Sequence, residues 1–159
     1  YLRWLEEDIA DLRRRAEIVV ASFHWGLHEE VLHYMTEIAR HAIDAGAGMV
    51  VGHGPHFSLP IEVYRGKPIF YGLGSFSFHT GHGGRRHGDW LGMMVRANWD
   101  RERLEQATFQ FVRHDDRNRT VPRALADEGA AFDRIARESA ELGAGLVGQG
   151  DEVAIDLGT

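Results

Sequence analysis

The sequence predicts an α/β fold in which parallel strands are joined by helices. Over the first 51 residues, segments of helical periodicity alternate with short apolar, β-branched runs, in the order helix, strand, helix, strand. Strands connected in this way pair in parallel through a helical crossover. Further along the chain, strand-like segments separated by turn residues predict β-hairpins. The 159 residues, 43% of them apolar, are enough to bury the core of one domain.

The N-terminal elements follow from the spacing of the apolar side chains. Apolar residues three and four positions apart predict amphipathic helices over residues 1–16 and 29–45, and Gly46 is placed to end the second helix. The apolar runs at residues 18–23 and 49–51 predict buried strands. The second of these strands leads directly into a segment rich in glycine and histidine.

Two hairpins and an acidic extension are predicted in the rest of the chain. Residues 61–64 and 69–71 flank a turn at 65–68, and residues 90–99 and 104–112 flank a turn around 100–101. Between the hairpins lies a Gly/His-rich loop at residues 79–89, and long loops within compact domains are often functional. We assign residues 1–123 to the main domain. Residues 124–159 form the extension, with a helix at 124–142, a glycine-rich hinge and a strand at 153–157.

The charge distribution argues against nucleic-acid binding. Residues 1–123 carry 16 basic and 16 acidic side chains, and residues 124–159 carry 2 and 8, so the net charge of −6 lies in the extension. A nucleic-acid binder would normally present a basic face. The longest apolar runs are far shorter than the roughly 20 residues that a membrane-spanning helix needs. The chain has no cysteine, which excludes thiolate metal ligands and disulfides.

Histidines follow two neighbouring strands at the point where each strand ends. His24 follows the first strand, and His53 and His56 follow the second, within Gly-His-Gly-Pro-His at residues 52–56. The carboxyl ends of parallel strands meet at one sheet edge, where ligands bind in α/β folds. Imidazole is a ligand for Zn, Fe and Mn. The sequence therefore predicts a metal site there, whereas His33, His41 and His114 are expected to be ordinary solvated or hydrogen-bonded side chains.

Several motifs, in order along the chain, resemble the C-terminal half of the CapA family of bacterial capsule and poly-γ-glutamate synthesis proteins. They are Ser-Phe-His-Trp-Gly at residues 22–26, the run at 42–47, the Gly-His-Gly-Pro-His element and the segment 60–76. The resemblance covers about residues 5–112. It implies a four-layer αββα sandwich with mixed sheets, similar to the calcineurin-like metallophosphoesterases, of which this chain holds the C-terminal half. It also implies that His24 is the lone histidine ligand, and that His53 and His56 form the family's Gly-His-x-x-His element.

The resemblance also implies a cofactor and a missing partner. One or two divalent ions, Mn, Fe or Zn, would lower the pKa of a water molecule and polarise the scissile group. The family's N-terminal half carries a Gly-Asp and an Asn-His element, which supply carboxylate and amide ligands. We therefore expect that half as the partner of this chain, from the same protein or from another chain. Ser75 stands where the family usually has Asn, and we predict that it contacts substrate.

Further roles are predicted for residues outside the three ligands. His28 and His79 are candidates to protonate a leaving group, although His28 could equally be an ordinary residue at a helix N-terminus. Arg85 and Arg86 could clamp a carboxylate or phosphate, or could simply be solvated in a surface loop. Asp89 is the one acid in that loop, so it could hold a metal or a histidine.

The leading functional hypothesis is a metal-dependent, hydrolase-like member of this family that acts on an anionic polymer or peptide in capsule or poly-γ-glutamate metabolism. One alternative keeps the fold and changes the reaction, for example to epimerisation of a peptide. Another is a non-catalytic capsule assembly or export factor. The resemblance implies a bacterial protein, and it leaves open a cytoplasmic location or a membrane-associated one reached through an upstream segment.

Overall fold

The computed structural model describes residues 2–77 and 90–158, which form helices packed on a sandwich of two sheets. In chain order the helices and strands are α1 (Leu2–Arg13), β1 (Val20–His24), α2 (His33–Asp44), β2 (Met49–His53), β3 (Ile61–Tyr64), β4 (Lys67–Phe70), β5 (Gly92–Asp100), β6 (Arg103–His114), β7 (Thr120–Pro122), a 3-10 helix (Leu125–Glu128), α3 (Gly129–Glu141), β8 (Gly145–Gln149) and β9 (Glu152–Asp156).

The first sheet has the order β1-β2-β4-β3, and it confirms the predicted parallel pairing. Strand β2 pairs in parallel with both β1 and β4, and β3 pairs antiparallel with β4. Apolar residues three and four positions apart give α1 and α2 one apolar face each, and these faces cover one side of this sheet. The core formed there includes Ile9, Met35, Ala39, Ile43, Val50 and Ile69.

The second sheet is antiparallel, with the order β5-β6-β9-β8 and with β7 beside β6. Its inner face packs against the side of the first sheet that α1 and α2 leave uncovered. Helix α3 contacts β3 and β8 and places Ile135 in the core between the sheets. The described residues thus supply a helix layer and two sheets, which is the order α, β, β of the predicted α/β sandwich. That second core includes Ile61, Phe70, Met93, Phe109, Phe111 and Val153.

The acidic extension completes the second sheet. Strand β9 pairs with the middle of β6, in the register Thr108↔Ala154, Phe109↔Val153 and Gln110↔Glu152. In α3, the Ser139 hydroxyl accepts a hydrogen bond of 2.9 Å from the Ile61 backbone N–H. The extension therefore supplies two strands and a helix to the same packed unit as β5 and β6.

A buried carboxylate lies between α2 and the first sheet. Glu62 is 2% exposed and accepts a 2.7 Å hydrogen bond from Arg40 Nε and another from the Tyr71 hydroxyl. Burial, and then the hydrogen bond to Glu62, raise the pKa of Tyr71. A buried charge needs such partners because it has lost its hydration.

Several element boundaries differ from the sequence-based expectations. Helix α1 ends at Arg13 rather than at residue 16, and α2 begins at His33 rather than at 29. The later start has a packing reason: Val31 and Leu32 lie against the first core, and Leu32 is extended, with φ −82° and ψ 148°. The turn after β3 has two residues, not four, because Arg65 and Gly66 both take positive φ and close a tight hairpin.

Strands β7 and β8 were not predicted. The segment that forms β8 contains two glycines and is mostly exposed, so its composition indicates a hinge. Its strand conformation comes from pairing with β9, which is a tertiary effect. Among residues 2–77 and 90–158, no helix is both long and apolar enough to cross a bilayer.

Candidate metal centre

Strands β1 and β2 bring two of the predicted ligands side by side. His24 and His53 are register partners at the carboxyl ends of these strands, and both side chains are exposed. Register partners on adjacent parallel strands project from the same face of the sheet, about 4.8 Å apart along the hydrogen-bonding direction. The pairing of β1 with β2 therefore places both imidazoles at one sheet edge.

Trp25 links the ends of β1 and β2, the two strands that carry the histidines, by hydrogen bonds. Its backbone N–H donates a 2.8 Å hydrogen bond to the His53 carbonyl, and its indole Nε1 donates one of 2.8 Å to the Tyr71 carbonyl. The indole is 7% exposed and stacks on Phe23 with the ring centroids 4.9 Å apart. Trp25 is thus a packing residue, and it also holds residues 52–56, which we call the ligand loop after its predicted metal ligands, against the sheet.

Two glycines allow the Trp25 backbone and ring to approach the second strand. A Cβ on Gly52 would lie 2.2 Å from the Tyr71 carbonyl oxygen and 2.4 Å from Trp25 Nε1. Gly54 has φ +121°, and a Cβ there would lie 2.3 Å from the Trp25 carbonyl oxygen. All three distances are below any real van der Waals contact, so side chains larger than hydrogen are excluded on each side of His53.

His56 is oriented by its neighbours. Its backbone lies in the left-handed region at φ 65°, which is uncommon for a residue other than glycine. Its Nδ1 lies 3.2 Å from the Oγ of Ser75, which is 4% exposed, and its ring meets Trp90 edge-on at 5.3 Å. A hydrogen bond to one ring nitrogen fixes the orientation of an imidazole and selects which nitrogen can face a metal.

The three histidines line one cleft of about 560 Å³. The opposite wall is apolar and comes from the β4–β5 side of the sandwich. An isolated bridge between Gly74 and Gly92 holds that wall beside the ligand loop. No Asp or Glu appears among the described residues that line the cleft. Its apolar lining consists of Leu73, Phe76, Met93, Met94 and Val95.

The donor set fits the nitrogen half of a metal centre. Imidazoles at a strand-end edge, one of them with its Nδ1 at hydrogen-bond distance from a serine hydroxyl, are the ligands that Zn, Fe and Mn take. Within residues 2–77 and 90–158, however, no three His, Asp or Glu side chains lie close enough together to hold an ion. Coordination by His24, His53 and His56 at once would require their side chains to reorient within the cleft.

The remaining predicted site residues have separate positions. Ser75 lines the cleft beside His56, whereas His28 is exposed and lies outside the lining residues that the structure describes. The predicted roles of His79, Arg85, Arg86 and Asp89 fall on residues outside the described ranges.

The three histidines that were expected to be ordinary side chains, His33, His41 and His114, lie outside the cleft lining that the structure describes. His33 is exposed at the first residue of α2, and His41 Nε2 lies 2.8 Å from Glu6 Oε1. His114 is 5% exposed, with Nε2 2.9 Å from the Phe76 carbonyl oxygen. The contacts by which Trp25 holds the ligand loop, and the apolar wall, were not predicted, because both depend on segments far apart in sequence.

The two-sheet α/β sandwich, with histidines at the ends of adjacent parallel strands, has the metallophosphoesterase-like fold. The chain belongs to a family within that class, the bacterial capsule synthesis protein PGA_cap family, whose model matches residues 1–80. That segment contains both helices of the first layer, the whole first sheet, and His24, His53 and His56.

Named relatives align with part of this chain. It is similar to the PGA biosynthesis protein CapA of Bacillus subtilis, 44% identical over 75 residues, which are 46% of this chain and 20% of that protein. It is also similar to a probable polyglutamine synthesis accessory protein of Mycobacterium tuberculosis, 44% identical over 39% of this chain and 17% of that protein. The capsule biosynthesis protein CapA of Bacillus anthracis is 38% identical over 42% of this chain and 16% of its own length. The chain thus matches a fifth or less of the length of each of these relatives.

Proposed function

We propose that this chain contributes the histidine ligands of a metal-dependent, hydrolase-like centre that acts on an anionic polymer or peptide in capsule or poly-γ-glutamate metabolism. The observation that carries the proposal is the register pairing of His24 with His53 at the ends of β1 and β2, with His56 lining the same cleft. The biological setting is taken from the relatives, whose names refer to capsule, PGA or polyglutamine synthesis.

Each residue of the cleft has a role in this proposal. His24 and His53 would hold the metal from adjacent strands, and His56, oriented by Ser75, would hold it from the loop. A bound divalent ion supplies Lewis-acid activation of water and of the scissile group. Carboxylate and amide ligands would come from the part of the family domain that the described residues do not provide. The apolar wall, including Met93 and Phe76, would exclude water from one side of the reacting group.

A non-catalytic assembly role is the second candidate. It is favoured by one observation: the described lining of the cleft includes no carboxylate, and a bridging carboxylate is usual in two-metal hydrolytic sites. In that case the fold would serve as a scaffold, and the histidines would bind metal weakly or not at all.

The test is a calorimetric titration of the chain with Zn²⁺ and with Mn²⁺ at pH 7.5. We expect one ion per chain. His53→Ala and His24→Ala should each weaken binding by at least about tenfold, because even the loss of a residue that only hydrogen-bonds to a metal ligand costs that much. His41→Ala is the matched control because His41 lies in the last turn of α2 and is not among the described residues that line the cleft. Equal affinity in the wild type and in His53→Ala would contradict the metal-centre proposal.

A further inference from the structure

A basic recess lies at the edge of the sandwich opposite the histidine cleft. We call it the Lys67 recess; its volume is about 340 Å³. Gly48 lies in its wall, directly before β2, and His53 is the last residue of β2, so the two sites are roughly 15 Å apart along the strand. The residues of the recess that matter here are Gly48, Arg65, Lys67, Trp99, Glu102 and Arg103.

The positive charges around the recess are not fully compensated. The charged residues that line the recess are three cations, Arg65, Lys67 and Arg103, and one carboxylate, Glu102. Of the cations that line the recess, Lys67 is the one without an ion pair to a described residue. Each guanidinium has its own carboxylate: Arg13 with Glu102 at 2.7 Å, Arg65 with Asp44 at 3.0 Å and Arg103 with Glu105 at 2.7 Å.

The surroundings of Lys67 disfavour the charged form of its side chain. It is half-buried at the start of β4, and it is the one lysine in the sequence. Burial, and then the guanidiniums of Arg13 and Arg65, lower the pKa of its ammonium group, and the Asp44 carboxylate only partly opposes them. A carboxylate placed in the recess would offset this repulsion and replace some of the lost hydration.

The other wall of the recess is aromatic and apolar. Trp99 packs so closely over Gly48 that a Cβ there would lie 2.5 Å from the indole Cη2. Leu104 lines the recess beside it. An unpaired ammonium next to an indole and a leucine suits a ligand with a carboxylate attached to a short aliphatic chain. A bare inorganic anion would leave the apolar wall unused.

We propose that the Lys67 recess binds an aliphatic carboxylate, with Lys67 as its charge partner and Trp99 as the wall for its methylene groups. The proposal is independent of metal binding in the histidine cleft. The ligand could be a free dicarboxylate or a glutamyl residue of a polymer, and both present a carboxylate beside methylene groups.

The test measures acylation of Lys67 by an acetyl N-hydroxysuccinimide ester, quantified on the Lys67 peptide by mass spectrometry at constant ionic strength. Glutarate is the probe. We expect the acylation rate to fall about tenfold when glutarate exceeds its Kd about tenfold, since the free fraction falls in proportion. A γ-glutamyl oligomer that protects at lower concentration than glutarate would identify the polymer as the source. Protection by glutarate alone would identify the free dicarboxylate.

Two results would overturn the proposal. The first is an acylation rate that neither glutarate nor the γ-glutamyl oligomer changes. The second is protection equal to that of glutarate by dimethyl glutarate, which would show that no carboxylate is required, or by inorganic phosphate, which would show that no methylene groups are required. These arms use the unaltered chain, so they do not depend on a variant that folds.

The second measurement compares variants of the chain by NMR, through the line broadening of the glutarate methylene signals. We expect Lys67→Met to abolish the broadening and Lys67→Arg to retain most of it. Arg117→Met, which removes an exposed cation between β6 and β7, should leave the broadening unchanged. His53→Ala should also leave it unchanged, which separates failure here from failure of the metal centre. Undiminished broadening in a folded Lys67→Met chain would contradict the assignment.

Discussion

At the scale of single residues, the ligand loop requires two positions without a Cβ atom, Gly52 and Gly54, as well as the imidazoles. Gly52 and Gly54 leave room for Trp25, and Trp25 joins β1, β2 and the segment after β4 through its backbone and its indole. The glycines on both sides of His53 could be seen in the sequence, and they indicated that another group packs closely against this backbone. The identity of the approaching group was not visible, because Trp25 lies 27 residues or more before them in the chain.

Replacing Gly54 by alanine tests this packing. The new Cβ would contact the Trp25 carbonyl, and the residue would have to keep φ +121°. We expect Gly54→Ala to lower the free energy of unfolding by about 1–3 kcal/mol, the usual cost of backbone strain. We also expect it to weaken Zn²⁺ binding. Chemical denaturation and calorimetry would measure the two effects.

Gly129→Ala is the matched control for Gly54→Ala. A Cβ at Gly129, the first residue of α3, meets nothing within 4 Å. We expect a change of less than about 1 kcal/mol, in the stabilising direction, because alanine suits a helix better than glycine. Equal stability of Gly54→Ala and the wild type would show that the loop can relax and that the glycine is not required.

At the scale of elements, the sequence predicted what apolar periodicity controls. Helices α1 and α2, strands β1 and β2 and both hairpins follow from local patterns, and the structure confirms them with shifted ends. Strands β7 and β8 could not be predicted, because three residues and a glycine-containing edge carry little local signal. The short turn at Arg65 and Gly66 could have been found, since glycine at the second position favours positive φ.

An ion-pair cluster joins the 3-10 helix to the second sheet. Glu128, 5% exposed, accepts hydrogen bonds of 2.6 and 2.7 Å from Arg113 and one of 3.1 Å from Arg123. The hydrogen bonds from Arg113 lower the pKa of Glu128, although burial opposes them. Because the folded-state pKa is depressed, the stabilisation is present above the unfolded pKa of about 4.3 and is lost as the pH falls through the folded value.

We therefore expect Glu128→Gln to destabilise the protein most at neutral pH. The expected loss is about 1.5–3 kcal/mol at pH 7, the usual range for hydrogen bonds to a charged group. The difference from the wild type should shrink as the pH is lowered towards 3, as measured by thermal unfolding across the series. Asp116→Asn, at an exposed acid, is the control and should track the wild type throughout. A pH-independent loss in Glu128→Gln would show that packing, not charge, is responsible.

At the scale of the whole molecule, the extension at residues 124–159 is predicted to be inseparable from the domain. It supplies β8, β9 and α3, and Ile135, Val153 and Ile155 lie in the core between the sheets. A chain ending at residue 123 would expose that core and the unpaired edge of β6, which is a template for aggregation.

We expect the chain truncated after residue 123 to lose cooperative thermal unfolding and to be recovered mainly as aggregate. Circular dichroism and size-exclusion chromatography would show both effects. A soluble truncated chain that unfolds cooperatively within a few degrees of the full chain would instead make the extension an independent appendage.

The proposed metal centre also belongs to the scale of the whole molecule, because its proposed ligands come from two strands and a loop. The strand-end position of His24, His53 and His56 was predictable, since the ends of parallel strands share an edge. The orientation of His56 by Ser75 and the apolar wall were not, because both depend on contacts between segments far apart in sequence.

The metal-ligand assignment is tested most directly by NMR of the imidazole nitrogens of the chain during titration with Zn²⁺. We expect the nitrogen resonances of His24, His53 and His56 to change together and to stop changing at one equivalent. Those of His33, His41 and His114 should stay in place. Changes confined to other histidines, or no change at one equivalent, would contradict the assignment of these three residues as the metal ligands of the chain.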